Sequence, residues 1–187
     1  MSVRALQIFS AALLLSVTST PGALSTGNAY SISFVDVDGN KLSTADGHGT
    51  IVVLTTAADR EQARTVGDRV PDFCLGNPAY RMITVVNFTG RHNAIGRRVA
   101  IAFIRHRMHE AGKRLQARYD SQKISRDAKG DIFVATDFDG TIASQLGQAA
   151  GGTDFCVFVF GQTGKLLAQW HTVPGTDELA AALKKSD

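Results

Sequence analysis

The sequence predicts an α/β fold: one domain whose central mixed sheet is covered by helices and entered through an N-terminal β-hairpin. Three features carry that expectation. Residues 50–55 form a short, continuous apolar run rich in β-branched side chains, the pattern of a central strand buried on both faces. Apolar residues at helical spacing follow, then a second buried-strand run at 82–88, making a βαβ unit with parallel strands and a right-handed crossover. Two late apolar runs, 155–160 and 165–170, flank the turn Gly161-Gln162-Thr163-Gly164 and predict a hairpin. A chain of 187 residues with 44% hydrophobic and 20% charged residues is long enough for one well-buried core.

The first 29 residues have a different character. Residues 1–4 carry one positive charge, 5–17 are largely apolar, and Thr18, Ser19, Thr20 and Pro21 break the run, the layout of a secretory signal peptide. Gly27-Asn28-Ala29 offers small residues to a signal peptidase, so cleavage is expected near Ala29, leaving a domain of residues 30–187 in the periplasm or outside the cell. The apolar core is too short for a hydrocarbon layer of ~30 Å, and no later segment is long and apolar enough to span one. No cysteine follows it to carry a lipid anchor. A net charge of +3 arises from Lys and Arg gathered between Arg91 and Lys129, a local basic surface and not a nucleic-acid signature.

The remaining elements follow in order. Residues 31–37 alternate, meet the turn Asp38-Gly39-Asn40 and continue into Lys41-Leu42-Ser43, a hairpin. After the strand at 50–55, Thr56 is placed to cap a helix with Asp59 in its first turn, and Ala63, Val66 and Val70 keep helical spacing until Pro71. Between 95 and 119, Ile101, Ile104, Met108, Ala111, Leu115 and Tyr119 define one apolar stripe, an amphipathic helix docked on the sheet. Residues 121–130 are polar and loop-like, 131–136 give a strand, and 140–146 a turn with a short helix. The chain closes on a helix with Thr176 as cap, Asp177 and Glu178 in the first turn and Lys184 and Lys185 in the last.

This order resembles the redoxin branch of the thioredoxin-like proteins, which includes exported thiol-disulfide oxidoreductases. The resemblance covers residues 31–185. It rests on Asp36-Val37-Asp38-Gly39-Asn40-Lys41-Leu42-Ser43 ahead of the strand at 51–55, on Asp137-Phe138-Asp139-Gly140-Thr141-Ile142-Ala143, and on Gly152-Thr153-Asp154 leading into 155–164. It implies a thioredoxin-like three-layer α/β/α sandwich. In that family the first redox cysteine of a CxxC pair sits at the helix N-terminus after the first central strand, where unpaired amides stabilise a thiolate. Here the window is Thr55-Thr56-Ala57-Ala58-Asp59-Arg60, without a cysteine. A cis-proline expected opposite the redox pair is replaced in Gly152-Thr153-Asp154, and a trans peptide is expected there. The resemblance therefore implies a fold retained without dithiol exchange. Its peptide-docking surface would persist at Thr56, Ala57, Thr153, Asp154 and Phe155, with a protein or peptide as partner.

Cys74 lies beyond the helix-ending Pro71 and Cys156 lies inside an apolar strand, which points to buried thiols or a stapling disulfide. The alternative is a displaced redox pair, or a peroxidatic and resolving pair, in a thiol oxidoreductase or peroxidase. Asp137-Phe138-Asp139-Gly140-Thr141 also resembles the first motif of haloacid dehalogenase-like phosphatases. Only Asp154, Asp177, Glu178 and Asp187 follow as acids, too few and too late for that site, and an Asp-Gly turn supplies the same residues for backbone reasons. Residues 36–40 resemble half a calcium loop, with Gly47 where the closing Glu would stand. Gly161-Gln162-Thr163-Gly164-Lys165 precedes a strand, unlike a phosphate loop. His106 and His109 are flanked by Arg105 and Arg107, which oppose a cation; His48, His92 and His171 stand isolated. Arg97, Arg98, Arg105, Arg107, Lys113, Arg114 and Arg118 form a basic helix face, open to an acidic partner or to membrane phosphates, or simply solvated. No cofactor or metal is expected.

Overall fold

The computed structural model describes residues 22–88, 90, 92–149, 152 and 154–186. Residues 1–21, where most of the expected signal peptide falls, and Thr153 lie outside the described residues. An antiparallel hairpin of β1 (Ser33–Val35) and β2 (Lys41–Ser43) comes first. Asp36 builds its turn: the buried carboxylate accepts from the backbone N–H groups of Asp38 (3.0 Å) and Asn40 (2.8 Å) and from the Asn40 side chain (2.8 Å). Both oxygens are thus engaged by the hairpin, which is why the calcium-like pattern is a turn.

The main sheet follows from β3 (Gly49–Thr55), β4 (Tyr80–Asn87), β5 (Phe133–Asp137), β6 (Cys156–Phe160) and β7 (Leu166–Trp170), in the order β5-β4-β3-β6-β7. β3, β4 and β5 are parallel, whereas β6 runs antiparallel to β3 and β7 to β6, so the sheet is mixed. β3 is buried along its whole length, as a continuous β-branched run requires. Its alternate residues feed two cores. Val52 and Leu54 pack with Ile83, Val85, Phe158 and Phe160 beneath the hairpin and α3 (Thr141–Gln145). Ile51 and Val53 pack with Val157 and Val159 beneath α1 (Arg60–Asp68) and α4 (Thr176–Leu183). Each such aliphatic side chain stabilises the fold by roughly 1.5–3 kcal/mol relative to exposure. Among the described residues no helix is long and apolar enough to cross a membrane.

Several local expectations shift. α1 begins at Arg60 with Asp59 as cap, not at Thr56, because residues 56–58 turn off the end of β3; Thr56 braces the turn by donating to Asp59 at 2.8 Å. α4 is capped by Gly175, whose N–H donates to Glu178 at 2.7 Å, and Thr176 is its first helical residue. The strand expected at 131–136 starts at Phe133, after a 3₁₀ turn at Ala128–Asp131. The folded unit also reaches upstream of residue 30: Gly27 N–H donates to the Leu166 carbonyl (2.7 Å) and Leu166 N–H to that of Asn28 (2.8 Å).

The long helix α2 (Ala94–Ser121) departs most from its pattern. Ile104 and Tyr119 are buried, but a second row, Ile95, Val99 and Phe103, is 72%, 65% and 54% exposed. Its C-terminal half is pinned by polar contacts. Tyr119 donates to Asp131 (2.7 Å) and accepts from Gly76 N–H (2.9 Å), while Arg118 donates to the Gly67 and Val70 carbonyls, both at 3.0 Å. Arg105 donates to the Val37 carbonyl at 2.6 Å, so part of the basic face is structural.

Candidate functional site

β3, β4 and β5 all end at one rim of the sheet, and β6 begins there because it runs antiparallel, with Leu54 opposite Cys156. Chain order reverses at this rim: β3 leads through α1 to β4 on one side, while β6 adds to its other side. In open α/β sheets ligands bind outside the carboxyl ends of strands at such a reversal. Thr56, Ala57, Asp154 and Phe155 all belong to this rim; Thr153, expected beside them, is outside the described residues. Ala57 and Asp154 are exposed, Phe155 is 6% exposed, and the Thr56 hydroxyl is engaged with Asp59 and with the Ala58 N–H at 3.2 Å. No thiol occupies the turn.

The ends of β4 and β5 carry polar groups. Asn87 and Asp137 are cross-strand partners, 3% and 1% exposed. Asn87 donates to the Gly152 carbonyl (2.9 Å), tying β4 to the loop before β6, and Asp137 accepts from Ala143 N–H (2.7 Å), fixing the start of α3. One oxygen of each has no hydrogen-bond partner among the described residues. Phe88 and Phe138 stack at 4.5 Å, with the His92 ring edge-on to both and Arg97 5.2 Å above Phe138. Asp139 accepts from Thr141 N–H at 3.1 Å, and bonds from Thr141 hold its carboxyl below the usual range. The phosphatase-like motif is therefore a strand-to-helix turn with both aspartates engaged by the backbone. No group of three metal-ligating side chains occurs among the described residues.

Both cysteines are free and buried, and they pack on opposite faces of the sheet, Cys74 beneath α1 and Cys156 beneath α3. The sheet between them excludes the stapling disulfide. Burial pushes the Cys74 thiol up to about 12. Burial, with the nearby Asp154 charge, pushes Cys156 up to about 11. Thiols pushed this far upward stay protonated at neutral pH, and only the thiolate attacks a disulfide or peroxide. His171 is not isolated: its Nδ1 lies 3.1 Å from the Cys156 sulfur. Sequence patterns missed this pair because it forms across the β6–β7 hairpin, fifteen residues apart, where no local spacing marks it.

No protein-family model matches the sequence, and no curated protein matches it. Solved structures do. A thioredoxin-family thiol:disulfide interchange protein from Chlorobium tepidum aligns over 88% of this chain and 99% of its own, at 14% identity and a TM-score of 0.53. A putative electron transfer protein from Aquifex aeolicus aligns over 87% and 99%, at 18% identity and 0.51. The exposed lipoprotein thioredoxin of Streptococcus pneumoniae aligns over 83% and 98%, at 15% identity and 0.50. The fold is thioredoxin-like, and the CxxC motif is absent from it.

Proposed function

We propose that the protein is a thioredoxin-fold binding module, active in the periplasm or outside the cell, that docks a protein or peptide at the sheet rim without dithiol exchange. The observation that carries this reading is the turn after β3, where Thr56 and Asp59 bond to each other at 2.8 Å in the place a redox thiol would need. Both thiols elsewhere are buried and held protonated. Ala57 and Asp154 present an open edge to a partner, backed by the buried Phe155. Neighbours in fold include thiol-disulfide enzymes, and fold alone does not carry their chemistry over.

A second reading, a thiol enzyme working through Cys156, is favoured by one contact, the 3.1 Å approach of His171. An imidazole there is placed to take the thiol proton. Insulin-disulfide reduction and peroxide consumption separate the two readings. Wild type, Cys74→Ser and Cys156→Ser are expected to be equally inactive. Turnover lost in Cys156→Ser overturns the binding reading in favour of the second.

A further inference from the structure

β4 lies inside the sheet, yet its two faces are unequally covered. On the hairpin side Ile83 and Val85 are completely buried; on the helix side Met82, Thr84 and Val86 are only half-buried. The space above them is a groove of about 440 Å³ between α1 and α2. Ala63 and Gly67 of α1 form one wall, and Phe103, Ile104 and Met108 of α2 the other. Arg60 and Arg64 border it from α1, Arg107 and Arg114 from α2. Arg60 and Arg64 share Glu61 at 3.7 and 3.6 Å, and Glu110 is taken by Lys113 at 3.1 Å. Arg107 and Arg114 make no ion pair among the described residues, and two turns of helix bring both to the same opening.

We propose that this groove binds a long-chain fatty acid, its hydrocarbon chain along β4 and its carboxylate against Arg107 and Arg114. Chemistry selects that occupant. The edges of β4 are already paired with β3 and β5, so an extended peptide laid in the groove would find no strand edge for its amides, and each buried unpaired amide costs ~1–3 kcal/mol. A hydrocarbon chain has no such groups to satisfy. A methylene takes ~30 Å³, close to a water molecule's share, so the groove has room for on the order of fifteen carbons, the alkyl chain of a sixteen-carbon acid whose carboxylate stays outside at the arginines. Arg107, which lies over the Phe103 ring at 5.0 Å, and Arg114 have no carboxylate partner among the described residues and complement an anionic head, and guanidinium matches a carboxylate in two parallel hydrogen bonds. This ligand is distinct from a peptide at the sheet rim, and its test is independent of thiol activity.

The test uses cis-parinaric acid, a fluorescent fatty acid, titrated into the folded protein and displaced by palmitate or by methyl palmitate. Saturable uptake is expected, with palmitate displacing at least tenfold better than its uncharged ester. Arg107→Glu with Arg114→Glu, both exposed, should erase that preference, and Thr84→Trp should block uptake by filling the floor. If Thr84→Trp does not fold, the charge-reversal pair still decides. The proposal is overturned if the folded wild type shows no saturable uptake, if the ester competes equally, or if charge reversal changes nothing. Stronger displacement by lysophosphatidylglycerol or by unfolded insulin B chain, or a dimer through Phe103 that excludes the probe, overturns it in favour of those occupants.

Discussion

Thr56 stands in the turn ahead of the Asp59 cap, within the window where the resemblance would place a redox thiol, and its hydroxyl bonds inside that turn to Asp59 and to the Ala58 N–H. The missing thiol was legible in the sequence, since a window of six residues without cysteine needs no coordinates. What the site has instead was not legible. His171 approaches Cys156 only after β6 and β7 pair, and Asn87 meets Asp137 only through parallel registry. The two thiols also differ in a testable way. A serine at 156 keeps His171 as a hydrogen-bond partner, whereas Cys74 packs among apolar side chains with no such neighbour among the described residues. Urea denaturation should therefore show Cys74→Ser destabilised by about 1–3 kcal/mol and Cys156→Ser by less. Asp46 offers a pH test. Burial raises its pKa, but hydrogen bonds from Arg81 at 2.6 Å and from His48 at 2.9 Å outweigh that and hold it below the ordinary 3.8. A depressed folded-state pKa contributes stability above the unfolded value and loses it as pH falls through the folded one. The stability advantage of wild type over Asp46→Asn should be full above about pH 5 and shrink below pH 4 in acid titrations followed by circular dichroism.

At the scale of elements, patterns that involve only neighbours in sequence were the readable ones. β3 announced itself because six consecutive residues suit burial on both faces. The start of α1 was misplaced by three residues because both Thr56 and Asp59 are competent caps, and only the exit geometry of β3 selects between them. α2 shows one true stripe and one apolar row left uncovered, and spacing alone cannot say which row meets the sheet. Small residues around Ala29 suit a peptidase, yet Gly27 and Asn28 hydrogen-bond to Leu166 at the start of β7. A chain begun at residue 30 should accordingly be less stable than one begun at residue 24 by about 1–3 kcal/mol, measured by thermal or urea unfolding.

For the molecule as a whole, a mixed five-stranded sheet brings the ends of β3, β4 and β5 together with the start of β6, the kind of rim outside which open α/β sheets bind ligands. The sheet also separates the two thiols, since the cores on its faces each hold one. That division is a property of topology, which is why spacing along the chain left a stapling disulfide open. The proposed binding function expects redox silence in the native state. The most direct test equilibrates the native protein in glutathione buffers from fully reduced to fully oxidised, traps thiols by acid and alkylation, and weighs the products. Two free thiols per chain are expected at every potential. A Cys74–Cys156 disulfide, or glutathione on Cys156 appearing with a defined midpoint, would contradict the account.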